Sequence, residues 1–346
     1  MIDYIIYGIY YSISTVMLVN IVLWVWKELS MGICHHEDSL NGKLIVITGG
    51  NNGIGFETSL DLVKRGAKVI IGCRKTQNVE ARIKSYVPGA DVEVIKLDLS
   101  SNKSIRNFAD EIKSKYEVID ILINNAGMVS EEKKESEDGF ELVMATNYLG
   151  HALLNHLLLD LVKRAGIANK EFSRIILVSS LASADKNAVK DLCKTGQDNT
   201  YDINFGVQNM KNMQDPYRQY GKSKLAQIMY GKHLSKLLLE ENCNTMVSSL
   251  HPGFVRTDIF HGFPKERQMF IKLASYVLGK TPLQGAQTTL HLALSNFSDE
   301  DRKLLGGKFF CDCRSKNLVN AFMPKVIDDP VACKSIWDET MKALGI

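Results

Sequence analysis

A tyrosine and a lysine stand four residues apart in Tyr220-Gly221-Lys222-Ser223-Lys224, at the head of an apolar run through Leu225, Ile228 and Met229. On a helix, side chains at i and i+4 are neighbours. An ammonium beside a phenol stabilises phenolate and draws down a pKa that is ordinarily about 10. Such a pair can give or take a proton near neutral pH. The same residues would also suit an ordinary helix start with solvated lysines, and Tyr-x-x-x-Lys arises often by chance. The rest of the chain has to decide between the two.

A second group of residues points to a phosphate-bearing ligand. Thr48-Gly49-Gly50-Asn51-Asn52-Gly53-Ile54-Gly55 follows an apolar run, Leu44 to Ile47, and precedes an amphipathic stretch. Glycines let backbone amides approach a pyrophosphate, and the N-terminus of the next helix favours its negative charge. The spacing is G-x-x-x-G-x-G, not the more common G-x-G-x-x-G. The next apolar run ends in Gly72-Cys73-Arg74-Lys75. An NAD site would put a carboxylate there for the ribose 2′-hydroxyl, whereas two cations suit a 2′-phosphate, so NADP(H) is the expected cofactor. Asp98-Leu99 is expected beside the adenine, and Asn124-Asn125-Ala126-Gly127 along the cofactor.

The elements that must position these residues alternate. Strands are expected at Leu44 to Ile47, Lys68 to Ile71, Val92 to Leu97, Ile119 to Ile123, Arg174 to Val178, Thr245 to Leu250 and Gly307 to Phe310. Helices are expected near Ile54 to Lys64, Asn78 to Tyr86, Asn102 to Lys115, Phe140 to Arg164 and residues 217–240. Strands alternating with helices predict one doubly wound α/β Rossmann domain over residues 43–346, with a parallel seven-stranded sheet. Ligands of such sheets bind at the carboxyl ends of the strands, where the glycine turn, Gly72-Cys73-Arg74-Lys75, Asp98-Leu99 and Asn124-Asn125-Ala126-Gly127 fall.

The 346 residues carry a net charge of +3 with a pI near 8.3, and no basic block suggests nucleic acid. Seven scattered cysteines do not form a disulfide framework, and no cluster has metal-ligand spacing; Cys311-Asp312-Cys313 reads as strand-end packing. His35, His36, His156 and His291 read as solvated or core residues. Residues Tyr4 to Trp26 are uncharged. As a helix they would span roughly 34 Å, enough for a hydrocarbon core of about 30 Å. Tyr4, Tyr7, Trp24 and Trp26 lie near its ends, as interfacial rings do. Residues 1–27 are therefore expected to be a transmembrane anchor, with interfacial insertion and a cleaved signal as alternatives, and residues 28–42 a polar connector. Sequons at Asn102 and Asn296 would report lumenal exposure.

Taken together, Thr48-Gly49-x-x-x-Gly53-Ile54-Gly55, Asn124-Asn125-Ala126-Gly127, Asn147, Ser179-Ser180, Tyr220-x-x-x-Lys224 and Pro252-Gly253 resemble the short-chain dehydrogenase/reductase superfamily over about residues 40–346. Cys73-Arg74, Asn147-Tyr148-Leu149-Gly150-His151, His251-Pro252-Gly253, Thr281-Pro282 and the ending Leu344-Gly345-Ile346 resemble its membrane-bound retinol dehydrogenase-like branch. The resemblance implies that Tyr220 is the general acid or base and that Lys224 lowers its pKa and holds the nicotinamide ribose. It implies that Ser180 orients the substrate oxygen and that Asn147 supports the lysine and a water relay. Gly49, Asn51, Asn52, Gly53, Ile54, Gly55, Arg74, Lys75, Asp98, Leu99, Asn125, Ala126, Gly127, Pro252, Gly253 and Thr257 would hold NADP(H). The expected protein is a single-pass enzyme of the endoplasmic reticulum membrane with its catalytic domain in the cytosol, and a homodimer is left open.

One departure is the stretch between Ser180 and Tyr220, longer than is usual in that branch. Its residues 182–216 are polar and read as an exposed excursion or lid, with Asn199 to Asn212 candidates for substrate contacts. The aromatic and aliphatic residues of Phe254 to Leu278 are expected to divide between core and a surface that walls an apolar pocket or touches a bilayer. A retinol or retinal is the first expectation for the substrate, with a steroid or fatty aldehyde as the alternative. A non-catalytic membrane-anchored scaffold is the rival class, since fold does not fix function.

Overall fold

The computed structural model describes residues 31–130, 132, 134–168, 172–195, 201–203, 205, 216–261, 263, 265–315 and 322–346. The expected anchor over residues 4–26 lies outside the described residues. Among the described residues, no helix is long and apolar enough to cross a membrane.

Seven strands form one parallel sheet in the order β3-β2-β1-β4-β5-β8-β9: β1 Leu44–Thr48, β2 Lys68–Cys73, β3 Val92–Lys96, β4 Ile121–Asn124, β5 Ser173–Val178, β8 Thr245–His251 and β9 Phe309–Cys311. The central strands are short, β-branched and buried on both faces, as a sheet covered by helices on both sides demands. Between them run α1 Gly53–Lys64, α2 Val79–Tyr86, α3 Asn102–Lys115, α4 Gly150–Ala168 and α6 Pro216–Glu240. One large apolar cluster lies under α3, α4 and α6, and a second on the opposite face under α1 and α8 (Pro282–Leu294). The sheet order reverses at β1 and β4, and the crevice beyond their carboxyl ends is where the motif residues gather.

Four expectations are corrected in detail. The long helix expected over Phe140 to Arg164 is instead a single turn at Leu142–Met144, a π-helical turn at Ala145–Leu149, and α4. Apolar periodicity continues through the π-turn, so its extra residue leaves no trace in the pattern. The last strand begins at Phe309 rather than Gly307, because Gly307 turns with φ +74°. The connector is not a free polar tether: Leu40 is buried, the Cys34 N–H donates to Gln287 Oε1 at 3.0 Å, and Arg65 donates to the His36 carbonyl at 2.8 Å. His36 and His291 do have partners, each within hydrogen-bonding distance of the Ser295 hydroxyl.

The stretch 182–216 also departs from expectation. Its described part holds α5 (Lys186–Leu192) and a two-stranded antiparallel hairpin of β6 (Cys193–Thr195) and β7 (Tyr201–Ile203). Ala188, Leu192, Cys193 and Phe205 are buried, and Tyr201 donates to Asp329 at the cap of α10 (Pro330–Leu344). Lys186, Lys190 and Asp191 are exposed, while a minority of apolar residues binds the segment to the core. Most of Asn199 to Asn212 lies outside the described residues.

Candidate active site

The glycine turn is built by strain that only glycine tolerates. Gly49 and Gly53 have φ of +67° and +55°, and a Cβ on Gly55 would stand 2.4 Å from both the Gly49 carbonyl and Asn125 Nδ2. Asn52 caps α1, its Oδ1 accepting from Gly53 N at 2.8 Å. Thr48 ties this turn to the next loop. Its hydroxyl accepts the N–H groups of Asn125 (3.0 Å) and Ala126 (2.9 Å) and meets His151 Nε2 at 2.8 Å. Asn125 returns the bond, its amide donating to the Thr48 carbonyl at 2.8 Å.

The His151 tautomer follows from its partners. Nδ1 faces the Asn147 carbonyl at 3.0 Å and must be the donor, so Nε2 accepts the Thr48 hydroxyl proton. Burial holds this imidazole neutral, with its pKa pushed down to about 3. His151 was legible in the sequence only as a residue four beyond Asn147, and its hold on Thr48 was not foreseen.

Asn147 sits in the π-turn, fully buried. Its Oδ1 accepts from Met128 N at 2.8 Å, and its Nδ2 donates to the Met128 carbonyl (2.9 Å) and to Ser223 Oγ (3.0 Å). Asn147 thus clamps the loop after β4 to the first turns of α6. Its expected support of Lys224 is indirect, through Ser223. Lys224 Nζ donates to the Val178 carbonyl at 2.7 Å and lies 5.9 Å from the Tyr220 ring centre. Its burial lowers the pKa to about 7. Gly127 leaves the space in front: a Cβ there would meet Lys224 Nζ at 3.4 Å and Asn147 Oδ1 at 3.6 Å.

Ser180 lies two residues beyond β5 in extended backbone and heads a short 3-10 turn, Leu181–Ala184, its Oγ accepting from Ala182 N at 3.2 Å. The neighbouring Ser179 donates to the Lys224 carbonyl at 2.8 Å and pins α6 to the sheet. Ser180 and Tyr220 share the wall of a cavity of about 240 Å³ with Ile54, Val255, Thr257 and Ile259. His251 lies there too, its Nδ1 accepting from Leu181 N, and burial lowers its pKa to about 4. Of the expected lid, Ala182 alone among the described residues reaches this wall.

The remaining cofactor candidates divide. Pro252, Gly253 and Thr257 form the loop after β8, and the Thr257 methyl lies 3.1 Å from where a Gly53 Cβ would be. Asn52 Nδ2 donates to Asp258 at 2.9 Å, a contact the sequence did not announce. Asn51 lies in the turn itself, its carbonyl 3.5 Å from Arg82. Asp98 is committed to its own loop, accepting from Ser100 N and Oγ, and Leu99 is buried against Gly150. Arg74 and Lys75 are exposed at the end of β2 and have no carboxylate partner among the described residues. A glycine cradle at a helix N-terminus, with two unpaired cations beyond the next strand, fits a dinucleotide carrying an extra phosphate. Among the described residues, no cluster could hold a metal ion.

Comparison with known proteins agrees with this geometry. Residues 43–192 match the family model for short chain dehydrogenase. The chain is 34% identical to retinol dehydrogenase 14 of Mus musculus over 322 residues, covering 89% of this chain and 87% of that protein. It is 36% identical to retinol dehydrogenase 12 of Bos taurus over 325 residues, covering 92% of each. Among solved structures, the Pseudomonas aeruginosa RhlG/NADP active-site complex superposes with a TM-score of 0.58 at 23% identity, over 79% of this chain and 95% of that one. The chain belongs to the short-chain dehydrogenase/reductase family and is an oxidoreductase similar to its retinol dehydrogenases.

Proposed function

We propose that this chain is an NADP(H)-dependent oxidoreductase that interconverts a lipophilic alcohol and its carbonyl, with a retinol/retinal pair as the first choice. The observation that carries this reading is the 240 Å³ cavity, in which Ser180 and Tyr220 face an otherwise largely apolar wall. Similarity to retinol dehydrogenases supports the substrate class, and the unpaired Arg74 and Lys75 support the 2′-phosphate.

The residues divide the work as follows. When bound, the nicotinamide supplies or accepts the hydride. Ser180 accepts the Ala182 N–H, which leaves its own proton to donate to the substrate oxygen. Tyr220 gives its phenolic proton to that oxygen as negative charge develops, and takes it back in oxidation. Lys224, held by the Val178 carbonyl, sets a cation one helical turn from the phenol. Asn147 and Ser179 act at one remove, by fixing α6 against β4 and β5. Residues 4–26 anchor the protein in the endoplasmic reticulum membrane, with residues 43–346 as the cytosolic catalytic domain.

The test is reduction of retinal by the full chain with NADPH, compared with Tyr220→Phe. General acid–base catalysis contributes ~10²–10⁴-fold, so the variant should lose that much kcat while still binding NADPH. Equal turnover by the two proteins would remove the catalytic assignment. A screen that also holds steroids and long-chain aldehydes decides the substrate.

A further inference from the structure

The helix α7, Lys265–Leu278, is turned outward on its apolar side. Met269, Phe270, Leu273 and Tyr276 follow the spacing of one helical face and are 62–73% exposed. The side toward the protein carries Gln268, Ile271 and Ser275, of which Ser275 is buried. A soluble helix arranges these the other way round. Exposed Lys265 and Lys272 border the apolar stripe on one side and Arg267 on the other, and Glu266, the one acidic residue of the helix, lies in line with the stripe one turn before Phe270. Lys265 and Lys272 have no carboxylate partner among the described residues. An apolar stripe between cations is how a helix lies in a lipid interface that carries negative charge.

Where the chain leaves the described domain adds a second, independent observation. Gly32 packs so closely on Asp312 that a Cβ would stand 2.0 Å from its carbonyl oxygen. Asp312 pairs with Lys280, two residues beyond the end of α7. Cys34 is bonded to Gln287 on α8, one turn from Leu283, itself 51% exposed. The described chain therefore starts beside the C-terminal end of α7, and the uncharged run of 4–26 precedes that point in the sequence.

We propose that α7 is an interfacial helix, seating Met269, Phe270, Leu273 and Tyr276 in an anionic lipid surface at the point where the N-terminal segment meets the same membrane. Gln268, Ile271 and Ser275, together with Met269 and Tyr276 of the exposed stripe, line a cleft of about 630 Å³ whose wall also includes Asn52 and Gly53 of the glycine turn and which shares Phe254, Val255 and Thr257 with the cavity of Ser180 and Tyr220. A lipid-borne substrate then passes along α7 into that cleft without crossing water.

The proposal rests on the membrane reading above, and one experiment separates the two. The full chain is reconstituted in phosphatidylcholine vesicles, with or without phosphatidylserine, whose acyl chains are brominated. Quenching of the parent, which holds Trp24, Trp26 and Trp337, reports the N-terminal segment. Phe270→Trp adds one indole on the outward face of α7. Its emission should be blue-shifted and lost to bromine, most completely with phosphatidylserine, and Leu273→Asp in the same background should restore a water-like spectrum. A water-like indole in vesicles that quench the parent overturns the proposal and leaves the anchor standing. A blue shift without bromine quenching overturns it too, since residues 4–26 or a second copy would then cover the face. No quenching of either protein removes the anchor and the proposal together.

Discussion

Thr48→Val tests the node that joins the two cofactor loops. The substitution keeps shape and β-branching and removes one oxygen. That oxygen accepts two backbone N–H groups, at 3.0 and 2.9 Å, and donates to the buried His151 Nε2 at 2.8 Å. Three polar groups lose their partner at once. Each costs ~1–3 kcal/mol when left unpaired in the interior, and the two amides, being half-buried, fall at the low end. The expected loss is ~3–5 kcal/mol of unfolding free energy, a large part of the ~5–15 kcal/mol that holds a domain folded. Equilibrium urea unfolding measures it, and NADPH titration of the folded fraction should show weaker binding, because Asn125 and Ala126 lose their register against Gly49. Thr48→Ser keeps the hydroxyl and should recover most of both quantities. A valine variant within ~1 kcal/mol of the parent would refute the reasoning, since a single net hydrogen bond is worth that much.

Arg74→Asp should weaken NADPH against NADH by ~10–100-fold, the worth of a lost charge-assisted bond, in paired cofactor titrations; an unchanged ratio removes the 2′-phosphate assignment. Gly55→Ala should abolish cofactor binding measured by NADPH fluorescence, because its Cβ would lie 2.4 Å from backbone and Asn125. Lys224 has a folded pKa of about 7 against 10.5 for the exposed side chain, so between those values the unfolded chain holds the extra proton. Stability of the cofactor-free protein should therefore rise with pH across that window, by up to ~1 kcal/mol per unit from this residue. Lys224→Met should flatten that slope in urea midpoints taken at successive pH values.

The fold was legible because the central strands are buried and therefore continuous apolar runs, and because glycine marks the turns after β1, α1 and α2. Periodicity placed α3 at its observed ends and missed the π-turn at Ala145–Leu149, where the apolar repeat runs on without a break. The catalytic candidates were legible as residue types at family spacing. Their support was not. Thr48 and Ser179 bond to backbone groups and Met128 bonds through its own, and a backbone amide or carbonyl has no letter in the sequence. The described part of 182–216 packs closer than its composition suggests, because composition weighs every residue alike while packing depends on the few that face inward, here Ala188, Leu192, Cys193 and Phe205.

The π-turn links these two kinds of information. The Asn147 carbonyl accepts His151 Nδ1, which fixes the tautomer that receives the Thr48 proton, while the Asn147 side chain holds Met128 and Ser223. One residue out of helical register thus ties the glycine turn, the loop after β4 and the start of α6 into a single hydrogen-bonded unit. Tyr220 and Lys224 stand on that helix start, so Asn147 helps fix where they lie against the loop after β4. The substrate side is braced by backbone instead: Arg256 N donates to the Lys280 carbonyl at 3.0 Å and Lys280 N to that of Phe254 at 2.7 Å. The side chains this loop presents to Ser180 and Tyr220, Phe254, Val255 and Ile259, are apolar and make no directional contact. That division fits the lipophilic alcohol or carbonyl proposed above.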